Sequence, residues 1–383
     1  MSTKKTTFKS ITNWLHLWLG LASGIILVIV ALTGTLLAFE AELEPIFFNH
    51  YHVVKPVGQR LPLDSVITLA QNACAGQKVS RVIVRAEANR SIEVRVGAKG
   101  DGSKGVKLVY VNPYNGQILY KGVYTKKFFQ QVRGLHRFLL LGDTGKIITG
   151  ISCAICFFLT ISGLVLWWPA NKSAMKQRFK IKWNASGKRL NWDLHAVTGF
   201  YLSIFLLVVT FTGLVMSYDW LENTILKMAD GKMAKEAKVK SPSKGKEIKA
   251  GIYQDIIQQT NQIYPGEGFI GITIPPKPSQ AITVTKENTN AVIASSDMAY
   301  FDAKNGSLLK KVPFEKLTTG AKIRKMITPA HTGSLLGWPG KVLALIVSLF
   351  TASLPISGLL IWLGKRRKTK RGKRIARPLQ TAV

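Results

Sequence analysis

The chain has 383 residues, is 47% hydrophobic and carries a formal net charge of +33, from 53 basic and 20 acidic residues. Such a charge suggests a nucleic-acid binder, and the length two or three soluble domains. Neither fits, because the apolar residues are clustered and more than a third of the basic ones lie in three short segments.

Uncharged stretches cover 11–39, 147–170, 194–218 and 342–364. Each exceeds the roughly 20 residues that carry a helix across about 30 Å of hydrocarbon, so four transmembrane helices are expected. The first is longer than a signal-peptide core, lacks a clear A-x-A site and has a sequence partner in the third, so it reads as a retained helix. Segment 1–13 holds three Lys/Arg, 169–193 seven and 364–383 nine, with Asp193 the one acid among them. Short basic segments stay cytoplasmic, while long connections such as 40–144 and 219–337 cross regardless of charge. Both termini are therefore expected inside and two globular segments outside.

In chain order, 1–39 is a cytoplasmic N-terminus and first span, and 40–127 the first outer domain. There 61–75 sets Leu63, Val66, Ile67 and Ala70 at helical spacing. Strand-like runs follow at 80–85, 91–96, 106–111 and 117–120, the last two joined by Asn112-Pro113-Tyr114-Asn115-Gly116. A surface segment and second span (128–168), a basic cytoplasmic loop (169–193) and the third span (194–218) come next. The second outer domain, 219–320, opens with a Lys/Gly/Ser-rich linker at 231–246 and a helix at 247–262. Strands are expected at 268–274, 281–285, 298–301 and 307–310, with the turn Asp302-Ala303-Lys304-Asn305-Gly306. A surface segment with the fourth span (321–363) and a basic tail (364–383) complete the chain. The expected fold is an α-helical membrane protein of four transmembrane helices in two duplicated halves, with two small extracytoplasmic α+β domains.

The duplication is explicit. His16 is followed 18 residues later by Gly34, within Thr33-Gly34, and His195 at the same offset by Gly213, within Thr212-Gly213. His136 precedes Gly145-Lys146 and Ile161-Ser162-Gly163-Leu164; His331 precedes Gly340-Lys341 and Ile356-Ser357-Gly358-Leu359 at identical offsets. Four of six histidines are thus in register, and histidine at a membrane-helix end is costly unless it has a function.

Helix, outer domain, helix, used twice with histidines at the helix ends, resembles the PepSY-associated transmembrane family. The resemblance runs from about residue 9 to 365. It implies PepSY-like outer domains, whose closing turn is here degenerate in both copies, and a bacterial inner-membrane location. The family includes iron-regulated proteins and periplasmic ferric-siderophore reductases with two b-type haems.

Topology sorts the histidines into an inner layer, His16 with His195, and an outer layer, His136 with His331. Two imidazoles facing across a pseudo-two-fold axis can fill both axial positions of one haem iron, which suits electron transfer. Two histidines per layer leave zinc without a complete ligand set. Gly34 and Gly213, about 27 Å along the helix from His16 and His195, are candidates for close haem approach or for helix packing. Arg133, Arg137, Arg324, Lys146 and Lys341 are candidates for haem propionates or interfacial anchors. Cys153 and Cys156 form C-x-x-C inside the second span and read as packing residues; no C-x-x-C-H occurs, which excludes covalent c-type haem. His50 and His52 have no counterpart in the second half and read as a surface loop, with an extra metal or substrate site as the minor alternative.

The expected function is a dihaem b-type electron-transfer protein taking electrons from a cytoplasmic or quinol donor. The acceptor implied by the resemblance is a ferric siderophore, whose reduction releases Fe(II) for uptake. No nucleotide-binding fingerprint is present, so the donor is separate. The rivals are a membrane-anchored PepSY regulatory or peptidase-inhibitor module without redox activity, and an iron or small-molecule transporter. The first leaves four registered histidines without a role. The second expects midplane acids or polar breaks, which the spans lack apart from Pro355.

Overall fold

The computed structural model describes residues 7–97, 105–169, 175, 177–231, 239–243, 248–289 and 295–375. Four of its helices are long and apolar enough to cross a membrane. They lie in α1 (Phe8–Ala38), α5 (Gly142–Trp167), α6 (Gly187–Ser217) and α10 (Gly337–Ile375). In lipid a helix satisfies its own backbone groups, so apolar runs this long have no other stable form. They form a ring in which α1 packs on α5 and α10, and α6 on the same two. Small residues allow close approach: Ser23 and Gly24 are buried on α1, and a Cβ at Gly24 would come within 3.0 Å of Pro355 on α10.

Each half adds shorter helices. In the first half these are α2 (Glu40–Phe47), α3 (Leu63–Ala73) and α4 (Phe128–Phe138). In the second they are α7 (Asp219–Asp230), α8 (Ile252–Ile263) and α9 (Thr319–Thr332). The surface segments ahead of the second and fourth spans are therefore helices in their own right, α4 and α9, and they carry His136 and His331.

Eight strands alternate as expected: β1 (Val79–Val84), β2 (Ile92–Val96), β3 (Lys107–Val111), β4 (Ile118–Val123), β5 (Ile270–Thr273), β6 (Ile282–Asn288), β7 (Ser295–Phe301) and β8 (Leu308–Val312). They form one antiparallel sheet, in the order β4-β3-β2-β1-β5-β6-β7-β8. The two units expected as small α+β domains are thus joined edge to edge in one sheet. Pairing β1 with β5 removes an exposed edge from each unit, and Val66 of α3 and Ile256 of α8 enter one shared core. The two helices also cap each other. Asp64 accepts from the backbone N–H of Tyr253 and Gln254 (3.3 and 3.0 Å), while Gln254 Oε1 accepts from that of Leu63 (3.0 Å).

The closing turns are tied by their first residues. Asn112 Oδ1 accepts from Tyr114 N, and Asp302 Oδ1 from Lys304 N and Asn305 N. Most of the expected 231–246 linker lies outside the described residues. The described part is held in place: Ser241 Oγ donates to Asp302 Oδ2 at 2.7 Å, and Lys240 bridges to Gln280. The basic tail begins as a continuation of α10 to Ile375; residues 376–383 lie outside the described part. Helix α6 starts seven residues before the expected span, and Arg189 in its first turn pairs with the buried Asp193 one turn on, at 2.9 Å.

Candidate functional site

His136 and His331 come from different halves and meet at the sheet end of the bundle, with ring centroids 6.2 Å apart. Two imidazoles joined through Nε2 to one metal in a straight line, at a bond length of about 2.0 Å, have centroids roughly 6.3 Å apart. Each ring is oriented from within its own half. His136 Nδ1 lies 2.9 Å from Val30 O and 3.1 Å from Thr33 Oγ1; His331 Nδ1 lies 2.9 Å from Val209 O and 3.1 Å from Thr212 Oγ1. A carbonyl only accepts, so each Nδ1 carries the proton and donates, leaving a lone pair on Nε2. Burial, followed by the neighbouring His331 ring, pulls the His136 imidazole down to about 4; burial also lowers His331. Both are neutral near pH 7, the form a metal requires.

At the other end, His16 and His195 line one cavity of about 680 Å³, a size suited to a cofactor. Its deep end reaches Leu27 and Cys156; Lys9, Arg178 and Lys365 stand at its mouth. The orienting device recurs: His16 Nδ1 is 2.9 Å from Ser162 Oγ, and His195 Nδ1 is 2.7 Å from Ser357 Oγ. Each serine spends its one proton on a backbone carbonyl, Ser162 on Leu159 O and Ser357 on Ser353 O or Leu354 O. The imidazole must again donate from Nδ1 and keep Nε2 free.

The repeated glycines make room for these rings. A Cβ at Gly34 would come within 3.1 Å of His136 Cε1, and one at Gly213 within 3.3 Å of His331 Cε1. Gly163 and Gly358 stand likewise against His16 (3.4 Å) and His195 (3.6 Å). Thr33-Gly34, Thr212-Gly213, Ser162-Gly163 and Ser357-Gly358 are therefore one device, a hydroxyl beside a gap, used four times. The 18-residue offset from His16 and His195 thus sets Gly34 and Gly213 beside the rings of the other histidine pair.

The match to known families agrees with this architecture. A family described as the PepSY-associated TM region matches residues 13–365. The chain belongs to the PepSY-associated transmembrane family. No match to it is found among the curated proteins. As a PepSY-associated protein it is a multi-pass membrane protein, with four apolar helices and an antiparallel sheet region.

In this PepSY-associated protein most of the expected propionate cations are already engaged. Arg133 pairs with Glu40, Arg324 with Glu222 (2.8 Å), Lys341 with Glu42 (2.5 Å) and Lys146 with Asp219 (3.9 Å). The first span of each half runs out into acids, and these neutralise the cations. The two lysine pairs cross between the halves and cinch the outer layer. Arg137 remains. It lies over the Phe138 ring at 5.2 Å and, among the described residues, has no carboxylate at ion-pair distance. At the inner layer Lys9, Arg178 and Lys365 are cavity-mouth cations that the sequence did not single out.

His50 and His52 do not form a surface loop. They lie on a single helical turn, Asn49–His52, and His52 is buried with Tyr51 against the sheet. Burial, then nearby cations led by Lys127, pulls His52 down to about 3. Its Nε2 lies 3.8 Å from Glu44 Oε2, and Glu44 also pairs with the buried Lys127. Among the described residues no group of three or more His, Cys, Asp or Glu is placed to hold a metal ion. Cys153 donates to Thr210 O at 3.3 Å and packs on Gly213, while Cys156 is buried in the bundle core; both are helix-packing residues.

Proposed function

We propose that this protein is a dihaem b-type electron carrier of a bacterial inner membrane, with both termini cytoplasmic and the sheet on the periplasmic side. It takes electrons from a cytoplasmic or quinol donor and reduces a ferric complex, of the ferric-siderophore type, so that Fe(III) becomes Fe(II) and is released for uptake. The observation that carries the reading is the construction of two cross-half histidine pairs, each ring held through Nδ1 with Nε2 free. Haem, held by His136 with His331 and by His16 with His195, would supply one-electron chemistry. The protein's own residues do the rest. Val30, Val209, Ser162 and Ser357 fix the tautomers, the glycines admit the rings, and the apolar cavity wall keeps water from the inner pair. A PepSY regulator or a transporter gives no reason for four oriented imidazoles.

The test is a dithionite-reduced minus oxidised spectrum of the purified protein with haem quantification. Two b-type haems per chain are expected. His136→Ala and His331→Ala should each lose the same one, and His16→Ala and His195→Ala the other. Absence of b-type bands in the wild type would sink the reading; loss of one haem by a cross-layer pair would sink the pairing. Reoxidation of the reduced protein by a panel of ferric complexes identifies the acceptor.

A further inference from the structure

Directly paired residues of an antiparallel sheet share a face. The register lines up Leu108, Arg95, Arg81, Thr273, Thr283 and Tyr300, one from each of β3, β2, β1, β5, β6 and β7. This row lies on the face away from α3 and α8. Three contacts turn that face toward the helices carrying the outer histidines. Lys127, just before α4, donates to the Oη of Tyr110 in the neighbouring row; Arg95 stands over the Tyr124 ring at 4.5 Å; and Lys325 of α9 donates to Ser296 O at 2.8 Å.

Arg81 is at the centre of the row, on the strand where the halves join. Arg95 beside it is neutralised by Glu93 at 2.9 Å. For Arg81 no carboxylate lies at ion-pair distance among the described residues, and its Nε is buried without a hydrogen-bond partner. Burial, and then the Arg95 guanidinium, pull its pKa below the usual arginine range. Its Nη2 lies over Gly271 of the other half, where a Cβ would come within 3.1 Å; a side chain there would crowd the guanidinium. A half-buried guanidinium with an orphaned N–H is costly, and an oxyanion held by its Nη groups offsets part of that cost.

We propose that Arg81, with Thr273 paired to it across the seam, is an anion-binding centre on the sheet face turned toward α4 and α9, for a small soluble ligand bearing carboxylate-type oxygens. That the ligand carries ferric iron rests on the function proposed above; the anion site does not. The acceptor class it selects is an anionic, carboxylate-bearing ferric complex, in preference to a neutral one.

The test uses the full chain in nanodiscs of zwitterionic lipid, titrated calorimetrically with gallium(III) citrate, which accepts no electron. Saturable binding is expected, weakened about tenfold or more by Arg81→Gln, less by Arg81→Lys, and unchanged by Lys188→Gln on the exposed surface of the basic connection. Should Arg81→Gln fail to fold, Thr273→Val carries the test, with a loss of about threefold. Equal affinity of the wild type and Arg81→Gln, no binding by the wild type, or equally tight binding of a neutral ferric trihydroxamate would each overturn the proposal. Because gallium is redox-inert, failure here leaves the electron-transfer reading standing, and missing haem bands with intact gallium citrate binding would remove that reading alone.

Discussion

At the scale of single residues, the hydroxyl beside each inner histidine controls which nitrogen is free. Ser162→Ala or Ser357→Ala removes the one side-chain acceptor that Nδ1 has among the described residues and leaves the ring free to turn or change tautomer. Loss of such an outer partner typically costs about 10- to 100-fold in affinity. Each variant is therefore expected to weaken cofactor binding at the inner pair by that factor and leave the outer pair unchanged, read by haem titration of the apoprotein. Unchanged affinity would mean that the serine only packs. The histidines and their hydroxyl-glycine neighbours were legible in the sequence because duplication prints them twice. Their roles were not, because a bond from Ser162 to His16 spans 146 positions and depends on how α5 lies against α1. The burial of His52 was hidden for the same reason: Tyr110 of β3, which packs on its ring, is distant in the chain.

At the scale of elements, helices and strands fell close to their expected places, since apolar period distinguishes them. What periodicity does not encode is the work of the closing turn. Asp302 is fully buried and accepts from Ser241 Oγ, Ser243 N, Lys304 N and Asn305 N. Burial alone raises a carboxyl pKa, but these four donors outweigh it and hold Asp302 well below the carboxylate range. Asp302→Ala strands the donors and is expected to cost about 1–3 kcal/mol, seen as a lower melting temperature. A depressed folded-state pKa stabilises fully above the unfolded value and fades as pH falls through the folded one. The gap between wild type and variant should therefore hold from about pH 8 to pH 4 and close only in stronger acid. A gap that closed already near pH 5 would contradict the assignment.

At the scale of the whole molecule, the two halves are interdependent at three levels: the inner pair, the outer pair and the β1–β5 seam. A chain cut in the connection between the second and third spans should therefore yield a first half that binds no haem when expressed alone. Co-expression with the second half should restore both sites, measured as haem per complex; haem retained by the isolated first half would refute the cross-half pairing. The seam was not legible because both β1 and β5 read as ordinary alternating strands, and nothing in alternation says which edge meets which. It also sets an order of events during synthesis. β1 is made first and keeps an open edge while residues 85–269, which include the second and third spans, are synthesised. Its partner β5 can reach it only if both spans have inserted and returned the chain to the same side. Closure of the sheet thus acts as a proofreading step on membrane topology: a misthreaded chain keeps a bare strand edge, the kind of surface that quality-control machinery recognises and that aggregates first.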